Sequence, residues 1–227
     1  MTDRTDMTDR KAELEARLLE VKSEIARAAT DAGRSPEEIT LIVVTKTFPV
    51  TDAELLYELG ERNFGENRDQ EGSAKSPILP DDVTWHFQGQ VQSKKIKSIV
   101  QWADCIHSLD NLEHAGKFNL FPVRDFFIQI SLDVQAEHRG GVPLPEFAKF
   151  YDSLSAFDNL RPVGLMVVPP LEVDPSSAFS QVARLAAQYG LKQLSMGMSG
   201  DFREAIAAGA THIRVGSSIL GSRSYHA

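Results

Sequence analysis

The sequence predicts an α/β protein built as a single (β/α)8 barrel of the TIM type, with an extra helix at its N-terminus. The first observation is length, because 227 residues fall within the range of about 200 to 250 that one such barrel needs. The second is a pattern in which short apolar runs alternate with helical segments, as in a parallel sheet covered by helices. The third is that no Pro-, Gly- or Ser-rich linker divides 9–227, so one domain is expected there.

A polar N-terminal segment and a long helix are predicted before the first strand. The first tetrapeptide recurs from Met7, and we interpret 1–8 as a flexible terminal segment. Thr8 and Asp9 are candidate caps for a helix over about 10–32, which carries one apolar stripe at helical spacing. The stripe consists of Leu14, Leu18, Val21 and Ile25.

Eight strands follow, each indicated by a short apolar or aromatic run that ends in small or polar residues. They are predicted at 41–46, 63–66, 84–88, 105–108, 126–132, 163–168, 193–198 and 212–216. Helices are predicted between them at 52–60, 68–73, 93–102, from Asp110 or Asn111, at 145–157, 176–189 and 201–208. In such a barrel the loops after the carboxyl ends of the strands carry the functional residues, so a site is expected there.

Composition and charge narrow the classes of partner. The formal net charge of −8 and the pI near 5.3 argue against nucleic acid or an anionic membrane surface as the main partner. No apolar run approaches the ~20 residues of a membrane span, and the charged N-terminal region does not resemble a secretory signal. Because the single cysteine, Cys105, cannot form an internal disulfide, a cytoplasmic location is expected.

Two strand ends near the C-terminus predict an anion site. They are 194–201, with the sequence LSMGMSGD, and 213–218, with the sequence IRVGSS. Small residues let backbone N–H groups and hydroxyls close on an anion, and the last two loops of a TIM barrel often build a phosphate site in this way. Arg214 lies on the strand that leads into the second loop, where side-chain alternation allows it to face the barrel interior.

Lys46 follows the apolar run 41–45 at the end of the first predicted strand. This position favours an amine that can form a Schiff base, whereas the alternative is a lysine that extends along the rim into water. A lysine, a phosphate site and an inward arginine are the parts that hold pyridoxal 5′-phosphate (PLP) as an internal aldimine. The sequence therefore predicts PLP as a cofactor, bound covalently to Lys46.

Polar residues also occur at the ends of the second and third strands. Asn67 is a candidate ligand contact, although it could equally cap the next helix. The third strand ends near Gln88 and contains His86 between two aromatic residues, and we interpret His86 as a hydrogen-bonded core histidine. Because no His-x-x-His or Cys-x-x-Cys spacing occurs, no metal site is predicted.

Short motifs occur in order along almost the whole chain. They are VVTKT at 43–47, NFGEN at 63–67, WHFQG at 85–89, QS at 92–93, GLM at 164–166, LSMGMSGD at 194–201, AIAAGAT at 205–211 and RVG at 214–216. Together they resemble the pyridoxal phosphate homeostasis protein family, whose fold is similar to the barrel domain of alanine racemase, PLP fold type III. Gln90 and Lys94 depart from the usual histidine and asparagine, Ser217 replaces the usual threonine, and 113–124 is short for the family.

The resemblance implies a role for each matching position. Lys46 corresponds to the lysine that forms the aldimine, and Arg214 to the arginine that faces the pyridine nitrogen. Asn67 resembles an asparagine near the ring, and Met196 or Met198 lines the pocket, with Met196 taken as the lining residue. The cradle for the phosphate consists of Ser199, Gly216 and Ser217.

The function that the resemblance implies is binding without catalysis. An arginine beside the pyridine nitrogen disfavours protonation of that nitrogen and makes the ring a poor electron sink. Racemisation needs an acid or base on each face of the substrate. In the racemase one is a tyrosine from a second domain of a partner subunit, and no second domain is expected in this protein. The expected protein is a monomer, not an enzyme, that buffers PLP or delivers it to PLP-dependent apo-enzymes. Its own tyrosines are predicted on outer helices and in the tail, at Tyr57, Tyr151, Tyr189 and Tyr225.

Two alternatives remain open. One is a weak PLP-dependent amino-acid racemase that takes its second acid–base group from Tyr225, His226 or a partner chain. The other is a phosphosugar-type barrel enzyme that uses the same phosphate loops without PLP. A racemase assay tests the first, and a visible absorption band of bound PLP would exclude the second.

Overall fold

A closed ring of parallel strands forms the centre of the fold. The computed structural model describes residues 4–133 and 140–222. Its strands are β1 (Thr40–Val44), β2 (Asn63–Glu66), β3 (Thr84–Phe87), β4 (Cys105–Leu109), β5 (Arg124–Ser131), β6 (Val142–Pro143), β7 (Leu160–Val167), β8 (Gln193–Ser195) and β9 (His212–Val215). Eight of them are hydrogen-bonded in the order β4-β3-β2-β1-β9-β8-β7-β5, and β5 also pairs with β4. The predicted (β/α)8 barrel is confirmed.

Strand β6 lies outside this ring and is not among the predicted strands. Its two residues pair in parallel with 130–131 at the end of β5. Gly141 precedes it with φ +129° and donates its backbone N–H to the Asp110 carboxylate at 2.9 Å. A Cβ on Gly141 would lie 2.6 Å from the backbone nitrogen of Ser131, so only glycine permits this close approach.

Helices cover the outside of the ring. They are α1 (Arg4–Asp31), α2 (Val50–Glu58), α3 (Asp69–Lys75), α4 (Ile96–Trp102), α5 (Leu112–Phe118), α6 (Phe147–Ser153), α7 (Pro175–Gln188), α8 (Phe202–Ala207) and α9 (Ser217–Leu220). The Asn111 side chain accepts hydrogen bonds from the first turn of α5, so the later of the two predicted starts is the cap. Across the described ranges, no helix has the length and apolar character needed to cross a membrane.

The N-terminal helix differs from its prediction. It begins at Arg4 rather than near residue 10, so Thr8 and Asp9 lie inside the helix and do not cap it. Of the predicted flexible segment 1–8, residues 4–8 are helical and residues 1–3 lie outside the described part of the chain. The predicted apolar stripe is confirmed, since its four members are buried. Arg10 binds Asp52 of α2 at 2.7 Å and donates to the Leu220 carbonyl at 3.0 Å, which ties α1 to both ends of the barrel sequence.

The apolar core has two layers because side chains alternate along each strand. Outward residues such as Val43, Phe64 and Ile213 pack beneath the helices in one continuous cluster. Inside the ring, Cys105 and Phe127 form a small cluster with Met166. The interior also holds Ile42, which lies opposite Arg214, and several buried polar side chains, which need hydrogen-bond partners.

A chain of hydrogen bonds connects these interior polar groups. Arg214 Nη1 donates to Ser195 Oγ at 2.8 Å, and that oxygen lies 2.7 Å from His107 Nδ1. His107 Nε2 lies 2.9 Å from His86 Nδ1, and His86 Nε2 lies 3.1 Å from Asn63 Oδ1. Asn63 Oδ1 only accepts, so His86 Nε2 donates to it. If both imidazoles are neutral, every group from Arg214 onward then donates toward Asn63. Burial favours these neutral imidazoles, because it lowers the pKa of both His86 and His107. The interpretation of His86 as a paired core histidine is confirmed.

Burial keeps the interior histidines uncharged at neutral pH. Desolvation lowers the pKa of His86 to about 3, that of His212 to about 4, and that of His107 well below its usual value. The ligand atoms of His86, Cys105 and His107 lie within 4.8 Å of one another, but the ring nitrogens are used in the chain above. Burial also raises the pKa of the Cys105 thiol, and we interpret this cluster as hydrogen-bonded packing.

These histidines predict that the folded state loses stability as the pH falls from about 6.5 toward 5. An unfolded imidazole binds a proton below about pH 6.5 and the buried one does not, so acid favours the unfolded chain, by up to about 1.4 kcal/mol per histidine and pH unit. Replacing His212 with Asn should reduce the slope of the unfolding free energy against pH by up to about 1.4 kcal/mol per pH unit, the contribution of one bound proton. Urea unfolding at several pH values measures both slopes.

Comparing the wild type with the His212→Asn variant isolates the effect of one imidazole from those of the other titrating groups. Glu66 and Asp110 act in the opposite sense, because burial raises their pKa values and protonation then favours the folded state. Both carboxyls are present in the wild type and in the His212→Asn variant. Equal slopes for the two proteins would show that His212 is charged when folded.

Candidate functional site

A cleft opens at the carboxyl ends of β7, β8, β9, β1, β2 and β3. Its volume is about 280 Å³. Of the described residues that line it, Lys46 and Arg214 are cationic and none is acidic, so the cleft suits an anionic ligand. Its walls are formed by Val44, Phe48, Asn67, Gln88, Met166, Val168, Met198, Ser199, Gly200, Gly216, Ser217 and Gly221.

Lys46 lies in a tight turn just beyond β1, because that strand ends at Val44 and not at residue 46. The next residue, Thr47, has φ +69°, a conformation that is strained for a β-branched residue. The Glu71 carboxylate accepts a hydrogen bond from the Thr47 backbone N–H at 2.5 Å. This contact from α3 stabilises the turn that carries Lys46.

A buried ion pair lies beneath the same turn. Lys75 Nζ binds Glu66 Oε1 at 2.6 Å and donates to the Thr45 carbonyl at 2.8 Å, while Thr45 Oγ1 donates to Glu66 at 2.7 Å. Burial raises the pKa of Glu66 against the opposing effect of the Lys75 charge. Because residues on either side of Lys46 are held in this way, its backbone position is set by groups that sequence reasoning does not assign to the site.

Arg214 faces the barrel interior, as predicted from alternation along β9. Nη1 donates to the Ser195 carbonyl at 2.6 Å, and Nη2 to the Val167 carbonyl at 3.0 Å. Burial lowers the pKa of the Arg214 guanidinium to about 10, so the group remains cationic at neutral pH. It occupies the cleft floor with part of its donor set committed to the protein.

The last two strand loops provide the hydroxyl groups of the cleft. Ser217 Oγ lies 3.2 Å from Ser199 Oγ, so the loops after β8 and β9 meet at this point. Asp201 accepts a hydrogen bond from the Met198 backbone N–H at 2.6 Å, which shapes the first loop. A Cβ on Gly216 would lie 3.1 Å from the Val44 carbonyl, so a small residue is favoured where the second loop passes β1.

Six of the seven predicted site residues line this cleft, and Met196 does not. Met196 is fully buried in the outer apolar core, while Met198 lines the cleft. The reason is alternation: Ser195 faces the interior, so its neighbour Met196 faces the helices. Gly197 then leaves the strand geometry with φ +91°, and Met198 reaches the mouth. The six that line it are Lys46, Asn67, Ser199, Arg214, Gly216 and Ser217.

Sequence reasoning does not assign several lining residues. Gln88 is recognisable only as a polar strand end, and Met166 only as part of a matching motif, while Phe48 and Val168 carry no signal. All four line the cleft. A signal for Gln88 is present, because it stands in the same strand-end position as Asn67, one strand along the ring.

The described tyrosines lie away from the cleft. Tyr57 on α2 donates a hydrogen bond to Asp82 at 2.9 Å, and Tyr151 and Tyr189 pack edge to face with ring centroids 5.0 Å apart. Their expected positions on outer helices, or at a helix end for Tyr189, are confirmed. Tyr225 and His226, the candidate groups of the racemase alternative, lie outside the described residues.

Comparison with known proteins identifies relatives over nearly the full chain. The alanine racemase N-terminal domain family matches residues 21–224. The chain is 38% identical over 222 residues to the pyridoxal phosphate homeostasis protein of Corynebacterium glutamicum, covering 89% of this chain and 99% of that protein. It is 35% identical over 225 residues to the protein of the same name from Escherichia coli K12, covering 92% and 96%.

Solved structures agree with this assignment. PipY of Synechococcus elongatus, in the structure with PLP bound, has a TM-score of 0.78 and 32% identity, covering 92% of this chain and all of that one (100%). Alanine racemase of C. glutamicum, at 16% identity and a TM-score of 0.65 over 88% of this chain and 59% of that one, shares the fold. With a family match across most of the sequence and relatives aligned over almost their whole length, the chain belongs to the pyridoxal phosphate homeostasis protein family.

Proposed function

We propose that this protein binds PLP and buffers it or delivers it to PLP-dependent apo-enzymes. The observation that carries the proposal is the convergence of Lys46, Arg214 and the Ser199–Ser217 pair on one cleft without an acidic lining residue among those described. These groups match the aldehyde, ring nitrogen and phosphate of PLP in chemistry. PipY, a relative at 32% identity, has been solved with PLP bound.

Lys46 is the residue proposed to hold PLP covalently. Its Nζ, as the neutral amine, adds to the aldehyde carbon, and the carbonyl oxygen leaves as water, which forms a Schiff base. When bound, PLP supplies an aldehyde and an electron-accepting ring. The strained Thr47 turn and the Lys75–Glu66 pair beneath it hold the backbone on both sides of Lys46, which lines the cleft.

The loops after β8 and β9 are proposed to hold the phosphate. Ser199, Ser217 and Gly216 lie together on the wall formed by these loops, and hydroxyl and backbone N–H donors to a phosphate make charge-assisted bonds. Asn67 is proposed to contact the ring, and Met198 takes the apolar lining role that the sequence assigns to Met196.

Arg214 is proposed to face the pyridine nitrogen, and this separates a carrier from an enzyme. A buried cation there disfavours a second positive charge on the ring, so the ring is a weak electron sink. The described tyrosines contact other groups outside the cleft, and no second acid–base residue is assigned. We therefore infer a non-catalytic protein; its cytoplasmic location and monomeric state stay predictions from the sequence.

The first test concerns Lys46. Lys46→Ala should abolish the visible absorption band of bound PLP without unfolding the barrel, because a lysine at the rim contributes little packing. Borohydride reduction and peptide mapping of the wild type should place the modification on Lys46. Lys94→Ala, at an exposed position, is the control and should keep the band; a modified peptide that carries any other lysine would refute the assignment.

The second test concerns the phosphate. Replacing both Ser199 and Ser217 with Ala should weaken PLP binding by roughly two to four orders of magnitude, since charge-assisted hydrogen bonds contribute ~1.5–3 kcal/mol each. Pyridoxal, which lacks the phosphate, should bind almost equally to both proteins. Ser218→Ala, next to the pair but outside the cleft lining, is the control. Equal losses for PLP and pyridoxal would show that these hydroxyls do not contact the phosphate.

The third test concerns the carrier role. Arg214→Glu should allow the ring nitrogen of bound PLP to protonate, which ¹⁵N NMR of labelled PLP detects as a changed shift. An unchanged shift in a variant that still binds PLP would mean that Arg214 does not contact the ring. The unmutated protein should racemise L-alanine far more slowly than ~1 per second, the lower end of ordinary enzymatic rates; turnover at that rate would favour the racemase alternative.

A further inference from the structure

Gln88 is a half-buried residue that presents its side-chain amide to the cleft from the end of β3. Its backbone N–H donates to the Glu66 carbonyl at 2.9 Å, which continues the pairing of β2 with β3 by one residue. The side chain lies over Gly65 of β2, where an added Cβ would come within 3.0 Å of Gln88 Cδ, Nε2 and Oε1. Gly65 therefore leaves the space in which this amide sits.

The amide nitrogen of Gln88 lacks an acceptor. Nε2 is shielded from solvent and has no hydrogen-bond partner within the described part of the chain. Buried donors in folded proteins are nearly always paired. Because Gln88 lines the cleft, a ligand in that cleft is a direct source of the missing acceptor.

The order of strands around the mouth indicates which ligand atom this is. The strands follow one another as β8-β9-β1-β2-β3. PLP carries its phosphate arm, aldehyde and hydroxyl on three consecutive ring carbons. With the phosphate at the loops of β8 and β9 and the aldehyde at Lys46 after β1, the 3-hydroxyl lies on the side of β2 and β3, where Gln88 is.

We propose that Gln88 Nε2 donates a hydrogen bond to the 3-oxygen of PLP, so that Gln88 selects ligands that carry an oxygen at this position. The inference rests on the proposed binding of PLP to Lys46 and the phosphate loops. A neutral amide donor favours the ionised form of the 3-hydroxyl, because a phenolate is the stronger acceptor. The Gln88 amide adds no charge to the cleft, whereas Arg214 does.

The test compares PLP with 3-deoxypyridoxal 5′-phosphate, which keeps the aldehyde and phosphate but lacks the 3-oxygen. Gln88→Leu, similar in size without the donor, should weaken PLP binding by roughly tenfold, the effect of one hydrogen bond. Its affinity for the deoxy compound should equal or exceed that of the wild type. Gln90→Leu is the control, because Gln90 is exposed two residues away and outside the cleft lining.

A second readout is the pH titration of the bound cofactor's visible spectrum. In Gln88→Leu the 3-hydroxyl should protonate at a higher pH than in the wild type. If Gln88→Leu does not fold, Gln88→Glu replaces the donor with a carboxylate that repels a phenolate, and PLP affinity should fall more than affinity for the deoxy compound. Equal losses for both compounds, or no loss for either, with an unshifted titration would overturn the role of Gln88.

The failure of the proposed function looks different. If the unmutated protein binds neither compound, or if neither modifies Lys46, then the site does not hold PLP at all. If the unmutated protein binds PLP through Lys46 and does not distinguish PLP from the deoxy compound, PLP binding stands and the assignment of Gln88 is wrong.

Discussion

Closure of the barrel between its first and last strands is the constraint on which the site depends. β1 and β9 pair in parallel, with Ile42 opposite Arg214 and Val43 opposite Val215. The register brings the turn that carries Lys46 beside the loop that carries Gly216 and Ser217. Because both strands end at the same rim, residues from opposite ends of the sequence face one cleft. A slip of one residue would turn Arg214 toward the helices.

Two buried polar systems maintain that arrangement from below. The chain from Arg214 through Ser195 and His107 to His86 pairs the interior polar groups. This pairing is needed because the Arg214 cation is removed from water. The Lys75–Glu66 pair does the same for the backbone around Lys46. Removing one partner of a buried ion pair leaves an uncompensated charge, which is strongly destabilising. Arrangements that separate these partners are therefore disfavoured, and the site keeps a single geometry.

The same features support our proposal that the cleft serves a carrier and not an enzyme. Its polar groups can hydrogen-bond a ligand, and its two cations, Lys46 and Arg214, match an anionic ligand. The donor set of Arg214 is partly committed to Ser195 and Val167, which holds the guanidinium as a fixed positive group. In our proposal Gln88, whose Nε2 has no hydrogen-bond partner among the described residues, adds a recognition group to this cleft. The family has relatives named for pyridoxal phosphate homeostasis.

The sequence by itself determined the order of strands and helices and most of the residues at the strand ends. Apolar runs and helical spacing are local patterns, and a parallel barrel places the carboxyl end of every strand at one rim. Strand-end position therefore makes Lys46 and Asn67 candidates for one site, and alternation along the last strand allows Arg214 to face it. The family motifs added Gly216 and the two serines of the cradle.

Only the tertiary structure decided which side chains face the cleft once the chain leaves its strands. Alternation turns Met196 toward the helices, and it fails only beyond that residue, where Gly197 turns the backbone and Met198 reaches the cleft. The Lys75–Glu66 pair, the histidine chain and the place of Gln88 over Gly65 join residues far apart in sequence. Such contacts depend on the register and closure of the sheet, which no local pattern encodes.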